Sequence, residues 1–211
     1  TAQLRERGQA PGRLHNNCSG KHAAMLAAAQ ANGWSTAGYE VPSHPLQLAI
    51  RRRLQPWTGL DSGALDIATD GCGVPVFILA LHQMALAYAR LSRAASDTTA
   101  AARILGAMGT HPFLVGGTDR FDTVLMQETD GAVVAKIGAE GVHTVLLRDR
   151  AIGFAIKVAD GQARAQYPAV LRLLQHLDAL PGTLSPRLHD LLVTTIHDTR
   201  GDAVGNVRPV A

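Results

Sequence analysis

The sequence has few aromatic residues and no long apolar run. Phenylalanine, tryptophan and tyrosine together make up 4% of the 211 residues. That is too few for the base-stacking surfaces of many nucleic-acid-binding proteins. No apolar stretch reaches the ~20 positions that a membrane-spanning helix requires. The formal net charge is +3. The densest basic run, Arg51–Arg53, lies in a helical pattern with Leu48, Ile50 and Leu54, so a solvated helix face explains it better than nucleic-acid binding does. We therefore expect a soluble protein with neither nucleic-acid nor membrane partners.

Lysine and cysteine are also scarce. Only Lys21, Lys136 and Lys157 are lysines among the 20 basic residues. A codon bias toward arginine suffices to explain this. However, a buried lysine amine can lose its proton whereas a guanidinium stays charged, so each lysine is a candidate for chemistry. Cys18 and Cys72 are the only cysteines. The opening residues lack the apolar core and cleavage site of a signal peptide, so we expect a cytoplasmic location with reduced thiols.

Hydrophobic periodicity changes along the chain. Helical patterns occur at about 19–31, 45–54, 75–91 and 97–108, and a short helix passes through about 125–126. Strand patterns follow at about 132–138, 143–148 and 153–158, before helices at about 169–177 and 186–194 and a glycine-rich tail. Ser19 and Asp97 are placed to cap the first and fourth helices. We treat 1–211 as the C-terminal portion of one α+β domain, helical over about 19–127, with antiparallel strands and closing helices over about 132–200.

Two short segments place the cysteines at predicted helix starts. Cys18 precedes Lys21 by three positions, so both share a helix face if the turn forms. Cys72 lies in the turn Asp70–Pro75, which is predicted to lead into a helix N-terminus that would favour a thiolate. The pair is compatible with a disulfide, with two unrelated buried thiols, or with a Zn²⁺ site in which Lys21 is the third ligand and water the fourth. A lysine ligand must first lose a proton, from a reference pKa of about 10.4.

Lys136 is the third candidate. It precedes Ile137 and Gly138 on a predicted strand. A lysine at a strand end is usually an ordinary surface residue. The K-x-G arrangement, however, lets a substrate backbone lie against the strand edge, as in the K-T-G motif of serine penicillin-recognising enzymes. The S-D-N motif of those enzymes is missing from this sequence. A penicillin-recognising function would therefore rest on fold analogy alone.

Four strings occur in an order that resembles the asparaginase II family, the zinc-containing type first recognised in rhizobia. They are HNNCSGKHAAML, DGCGVPVF, HPFLVGGTDRFDT and AKIGAEGV, followed by the similar tail GNVRPV. The resemblance covers essentially all 211 residues. It implies an α+β fold of the serine β-lactamase and glutaminase type. It also implies hydrolysis of L-asparagine to L-aspartate and ammonia through a serine acyl-enzyme, and a homodimer.

The resemblance also implies roles for individual residues. Cys18, Lys21 and Cys72 match the ligands of one zinc ion per chain, which aids substrate binding. Lys136 matches a catalytic lysine paired with one of two active-site serines. Asp70 matches a position suited to the substrate's α-ammonium group. His22 matches a position near the substrate and metal, although it could equally be a solvated helix residue.

The chain departs from the family pattern at the nucleophile. No Ser-x-x-Lys occurs, because Cys18, Val133 and Phe154 stand three positions before the three lysines. We therefore expect the nucleophilic serine and its partner serine to lie upstream, in a segment that this sequence does not include. The main alternative is a non-catalytic zinc-binding or dimerisation module that lacks the nucleophile.

Overall fold

The computed structural model describes residues 2–96 and 98–210, which form two compact units with a boundary between Leu79 and Ala80. The described residues combine α-helices with small antiparallel sheets, an arrangement compatible with the expected α+β class. None of the helices in residues 2–96 and 98–210 is both long and apolar enough to cross a membrane.

The first unit contains three helices and one β-hairpin. They are α1 (Ala2–Glu6), α2 (Ser19–Ala31), α3 (Pro45–Thr58), β1 (Ile67–Thr69) and β2 (Pro75–Phe77), with 3-10 turns at Arg13–His15 and Ser62–Ala64. The predicted bounds of α2 are confirmed. Cys18 rather than Ser19 takes the N-cap position, and its N–H donates to Oδ1 of Asn16 at 2.8 Å. The helix closes at Gly33, whose φ of +68° is one that glycine adopts readily.

Helix α3 runs four residues beyond the predicted end at Leu54. His44 caps it, because Nδ1 accepts the N–H of Leu46 at 3.1 Å while Nε2 bonds to the carbonyl of Ser35 at 3.0 Å. Its far end is closed by Gly59 in the left-handed conformation.

The predicted helix start at Pro75 is wrong. Pro75–Phe77 is strand β2, which pairs antiparallel with β1 so that Thr69 faces Pro75 and Ile67 faces Phe77. A short apolar run fits a buried strand as well as a helix, and proline is acceptable as the first residue of a strand. The helix begins only at Leu81, where the Gln83 side chain accepts the N–H of Ala80 at 2.9 Å.

The second unit is built around a three-stranded meander. Its strands are β3 (Val133–Ile137), β4 (Val142–Leu147) and β5 (Ile152–Lys157), and its helices are α4 (Leu81–Arg93), α5 (Ala100–Thr110), α6 (Pro112–Gly116), α7 (Phe121–Glu128), α8 (Ala163–His176) and α9 (Pro186–His189). The predicted meander is confirmed in the order β3-β4-β5. Asp97, which we expected to cap α5, lies outside the described residues. Thr99 occupies the N-cap position of α5, where its Oγ1 accepts the N–H of Ala102 at 3.2 Å.

The alternation along β3 and β4 directs side chains into two cores. On one face the strands pack against α7, α8 and α9 in a cluster of Phe121, Val124, Leu125, Val133, Ala135, Val145, Leu147, Val170, Leu171, Leu174 and Leu188. On the other face Val134 and Leu146 pack with Leu105 of α5 and with Met126. The meander is therefore covered by helices on both faces, which fixes β3 and the residues at its end.

The end of the chain differs from the prediction. Helix α8 begins at Ala163, six residues before the predicted start, and α9 ends at His189 instead of continuing to Thr194. The expected glycine-rich tail forms a second hairpin, of β6 (Thr194–His197) and β7 (Ala203–Val207). Both strands are short and largely exposed, so they carry little hydrophobic alternation and periodicity does not reveal them.

Candidate functional site

The start of α2 and the β1–β2 loop carry five of the six predicted site residues, and four of these, all except His22, form one cluster. Cys18 is the N-cap of α2 and Lys21 is the third residue of the helix. Asp70 and Cys72 lie in the loop of five residues that joins β1 to β2. Two hydrogen bonds shape this loop: Asp70 N–H to the Val74 carbonyl at 2.9 Å, and Gly73 N–H to the Asp70 carbonyl at 2.8 Å.

Gly73 has a φ of +92°, a conformation that L side chains rarely adopt, so the turn after Cys72 requires glycine. The expected placement of Cys72 at a helix N-terminus is wrong, because a hairpin replaces that helix. Its thiol consequently receives no stabilisation from a helix dipole.

The four side chains converge although 49 positions of sequence separate Lys21 from Asp70. The two thiol sulfurs and a carboxylate oxygen of Asp70 all lie within 4.8 Å of one another. Oδ2 of Asp70 accepts from Nζ of Lys21 at 2.7 Å and from Sγ of Cys72 at 3.4 Å. Its other oxygen accepts the N–H of Gly71 at 2.7 Å. The side chains of Lys21 and Asp70 remain 39% and 35% exposed, so a small solute can reach them.

The charges of this cluster follow from these contacts. The hydrogen bond from Lys21, and then that from Cys72, lowers the pKa of Asp70 below its ordinary value. Burial lowers the pKa of Lys21, but the hydrogen bonds to Asp70 and Cys72 outweigh it, and the pKa is raised on balance. Burial, followed by a hydrogen bond with Cys72, raises the pKa of the Cys18 thiol, against the opposing effect of Lys21. These contacts give an ammonium–carboxylate pair beside a protonated thiol.

The donor set fits a divalent ion of the zinc type. Two thiols with one nitrogen or oxygen donor suit zinc, and three protein donors would leave a position for water or substrate. Two candidate sets share the thiols of Cys18 and Cys72. The set with Asp70 has its donor atoms within 4.8 Å of one another. The set with Lys21 is the one that the family resemblance implies. Lys21 would have to give up its proton and its bond to Asp70, whereas Asp70 is already ionised.

His22 is held by Tyr39, a residue that the sequence analysis missed. Nδ1 of His22 and the Tyr39 hydroxyl lie 2.6 Å apart, and the two rings meet edge to face with centroids 5.8 Å apart. The Tyr39 carbonyl accepts from Nε2 of the buried Gln47 at 2.8 Å. His22 is thus an anchored, half-buried side chain and not a fully solvated one. A tyrosine 17 positions away gives no signal in sequence.

Lys136, the remaining predicted site residue, belongs to the second unit. It lies on β3, as predicted, opposite Thr144 of β4. Its Nζ bonds to the carbonyl of Ile137 at 2.6 Å. The amide of Gly138 donates to the Val142 carbonyl at 2.8 Å, and that of Ile137 donates to Asp122 at 2.8 Å. The amides of Ile137 and Gly138 are therefore engaged, and neither is free to stabilise an oxyanion.

A buried acidic residue and a buried histidine lie close to this segment, and the sequence analysis singled out neither. Asp122 lies in the first turn of α7, and His143 lies on β4 opposite Ile137. Nε2 of His143 is 2.8 Å from Oδ1 of Asp122. The only sequence signal was the position of Asp122 inside the string HPFLVGGTDRFDT.

Comparison with known proteins identifies the family of this chain. A search of curated proteins returns no match. The sequence model of the family described as L-asparaginase II, in contrast, matches residues 1–209 of the 211. This match contains the cysteine cluster, the Asp122 string and the Lys136 strand. The chain therefore belongs to the L-asparaginase II family.

Proposed function

We propose that this chain forms part of an L-asparagine amidohydrolase, which converts L-asparagine and water to L-aspartate and ammonia. The family membership indicates asparagine hydrolysis in general terms. The observation that carries the finer proposal is the convergence of Cys18, Lys21, Asp70 and Cys72, because the same residues match the family's zinc and substrate positions. We further propose a homodimer in the cytoplasm, where both thiols stay reduced.

In this proposal the nucleophile is a serine in an upstream Ser-x-x-Lys. Its Oγ attacks the side-chain amide carbon, and its proton passes to a neutral lysine amine. The C–N bond then breaks, ammonia leaves with a proton from the same base, and water hydrolyses the acyl-enzyme. Lys136 contributes an amine on a rigid strand, and a second lysine nearby would favour its neutral form by like-charge repulsion. General-base assistance of this kind contributes about 10²–10⁴-fold to the rate.

The first unit contributes substrate binding. Oδ2 of Asp70 already accepts a primary ammonium group, that of Lys21. The α-ammonium group of asparagine has the same charge and donors, so it can take the place of Lys21 at this oxygen. His22, anchored by Tyr39, would present its other ring nitrogen to the substrate. Zinc held by Cys18, Lys21 and Cys72 would supply a Lewis-acidic position for an oxygen of the substrate.

The test compares the 211-residue chain with a version extended by its natural upstream segment. We expect ammonia release from L-asparagine only in the extended protein. Within it, Lys136→Ala should lower kcat/KM by about 10²–10⁴-fold. Lys157→Ala is the matched control, because its Nζ also bonds to carbonyls, those of Glu140 at 2.6 Å and Val158 at 2.8 Å. Full activity of Lys136→Ala would reject its role.

The donor cluster also favours a second candidate function, a zinc-binding module without catalysis. Stoichiometric zinc in the extended protein, together with no hydrolysis of asparagine, would favour that candidate. Robust hydrolysis by the 211-residue chain alone would mean that the nucleophile lies within it, with Ser19 or Cys18 beside Lys21 as the first suspects.

A further inference from the structure

Asp122 is a buried carboxylate that the proposed mechanism does not use. Its side chain is only 2% exposed, and both oxygens reach partners. Oδ2 accepts the N–H of Ile137 at 2.8 Å. Oδ1 lies 2.8 Å from Nε2 of His143, at ion-pair distance but without the alignment of a hydrogen bond. A buried charge costs free energy unless it is paired, so a carboxylate kept in this position needs both contacts.

The Ile137 amide lies on the outer side of the sheet. Gly138 donates its N–H across the meander to the Val142 carbonyl. Successive amides of a strand point in opposite directions, so the N–H of Ile137 points away from β4. Because β3 is the first strand in the order β3-β4-β5, no described strand receives this amide. Asp122 receives it instead and ties the outer side of β3 to α7, at the residue next to Lys136.

His143 restricts the movement of Asp122. Its ring is fully buried and meets two aromatic rings edge to face, that of Phe121 at a centroid distance of 5.4 Å and that of Tyr167 at 6.2 Å. His143 also faces Ile137 across the β3–β4 pair. The Asp122 carboxylate is thereby held between an amide of β3 and an imidazole of β4.

We propose that Asp122 is a positioning residue for Lys136, with His143 as its support; this rests on the proposed function of Lys136. Nζ of Lys136 bonds to the carbonyl of Ile137 at 2.6 Å, and Asp122 holds the N–H of that same residue. A change in the Ile137 backbone therefore moves the lysine amine. Misplacement of a reacting group by about 1 Å can cost on the order of 10²-fold in rate.

The structural part of the proposal can be tested without activity, in the 211-residue chain. Reductive methylation with ¹³C-formaldehyde labels only three side chains, those of the three lysines, and Lys→Arg variants assign their signals. In Asp122→Ala we expect the Lys136 signal to move, the Lys157 signal to stay, and the Ile137 amide to exchange about tenfold faster or more. Asp149→Ala, at an exposed acidic residue of the β4–β5 turn, should change none of these.

The conservative variant separates positioning from simple folding. In Asp122→Asn the carboxamide oxygen still accepts from Ile137, so most of the slow exchange and the Lys136 signal should return. If Asp122→Ala does not fold, Asp122→Leu replaces it, because leucine has nearly the same shape but no acceptor. Unchanged Ile137 exchange and an unchanged Lys136 signal in the folded variant would overturn the proposal.

In the extended, active protein, Asp122→Ala should lower kcat by about 10–10²-fold while KM changes little, and Asp122→Asn should recover most of the loss. A kcat equal to that of the wild type would overturn positioning. An activity loss that equals the unfolded fraction of the variant, together with a shifted Lys157 signal, would also overturn the positioning role. Failure of the proposed function has a different result: Lys136→Ala would retain activity whatever the Asp122 variants do.

Discussion

The number of protons released when zinc binds will show whether Lys21 or Asp70 completes the metal site. Nζ of Lys21 and Oδ2 of Asp70 form an ion pair of 2.7 Å. The pKa of Lys21 and that of Cys18 are raised, and the pKa of Asp70 is lowered. Since a zinc ligand must be deprotonated, each candidate set has to release a different number of protons.

The expected difference is one proton. Reference pKa values are about 8.5 for a thiol and about 10.4 for a lysine amine, so between about pH 6 and 7 both kinds of group hold their protons. Binding through Cys18, Lys21 and Cys72 then releases about three protons, and the logarithm of the association constant rises by about three per pH unit. Binding through Asp70 in place of Lys21 releases about two. The affinity for zinc increases with pH in both cases. We expect the steeper dependence, that of the set with Lys21.

The assay is a competition titration against a chromogenic zinc chelator between about pH 6 and 7, corrected for the chelator's own protonation. The variant Lys21→Ala should bind more weakly and with a slope of about two, whereas Asp70→Asn should keep a slope of about three. Lys157→Ala should match the wild type. A wild-type slope of about two, with an affinity that Lys21→Ala leaves unchanged and Asp70→Asn lowers, would refute Lys21 as the ligand. Binding unaffected by loss of either cysteine would refute the site itself.

Two further predictions concern packing and redox state. A Cβ at Gly153 would lie 2.2 Å from the Ala85 carbonyl oxygen of α4, so Gly153→Ala should destabilise the protein by about 1–3 kcal/mol and lower Tm by about 2–12 °C in calorimetry. Gly106→Ala, in α5 with nothing within 4 Å of the new Cβ, should instead raise Tm slightly, and equal values for both variants would contradict the packing argument. Cys18 and Cys72 should both be alkylated by iodoacetamide in freshly purified protein without reductant, as expected for free thiols, and a blocked pair in mass spectra would indicate a disulfide.

The sequence predicted the meander because turn residues separate three alternating apolar segments, and local patterns of that kind are visible along the chain. It failed at Pro75–Phe77, where the choice of strand over helix depends on pairing with Ile67–Thr69. It failed again at β6 and β7, two short and largely exposed strands that carry no clear period. Both errors arise where tertiary pairing, rather than local propensity, decides the structure.

The candidate site was predictable only in part. Spacing alone left a disulfide, unrelated thiols and a metal site open for Cys18 and Cys72, and the resemblance was needed to choose among them. The ion pair of Lys21 with Asp70 joins residues 49 positions apart, so no local pattern could predict it. The contact of Asp122 with Ile137 is similarly long-range, because it depends on how α7 packs against β3.

The carboxylate on the outer side of β3 has a consequence for self-association. A strand at the border of a sheet offers its free amides to any other extended chain, and such pairing leads to aggregation. A second chain that approached β3 would need the N–H of Ile137, which Asp122 already occupies. Pairing would have to expel a buried, charged acceptor, and that cost opposes growth of the sheet at this border. The same bond that we assign to lysine placement therefore also protects the folded protein from strand addition at β3.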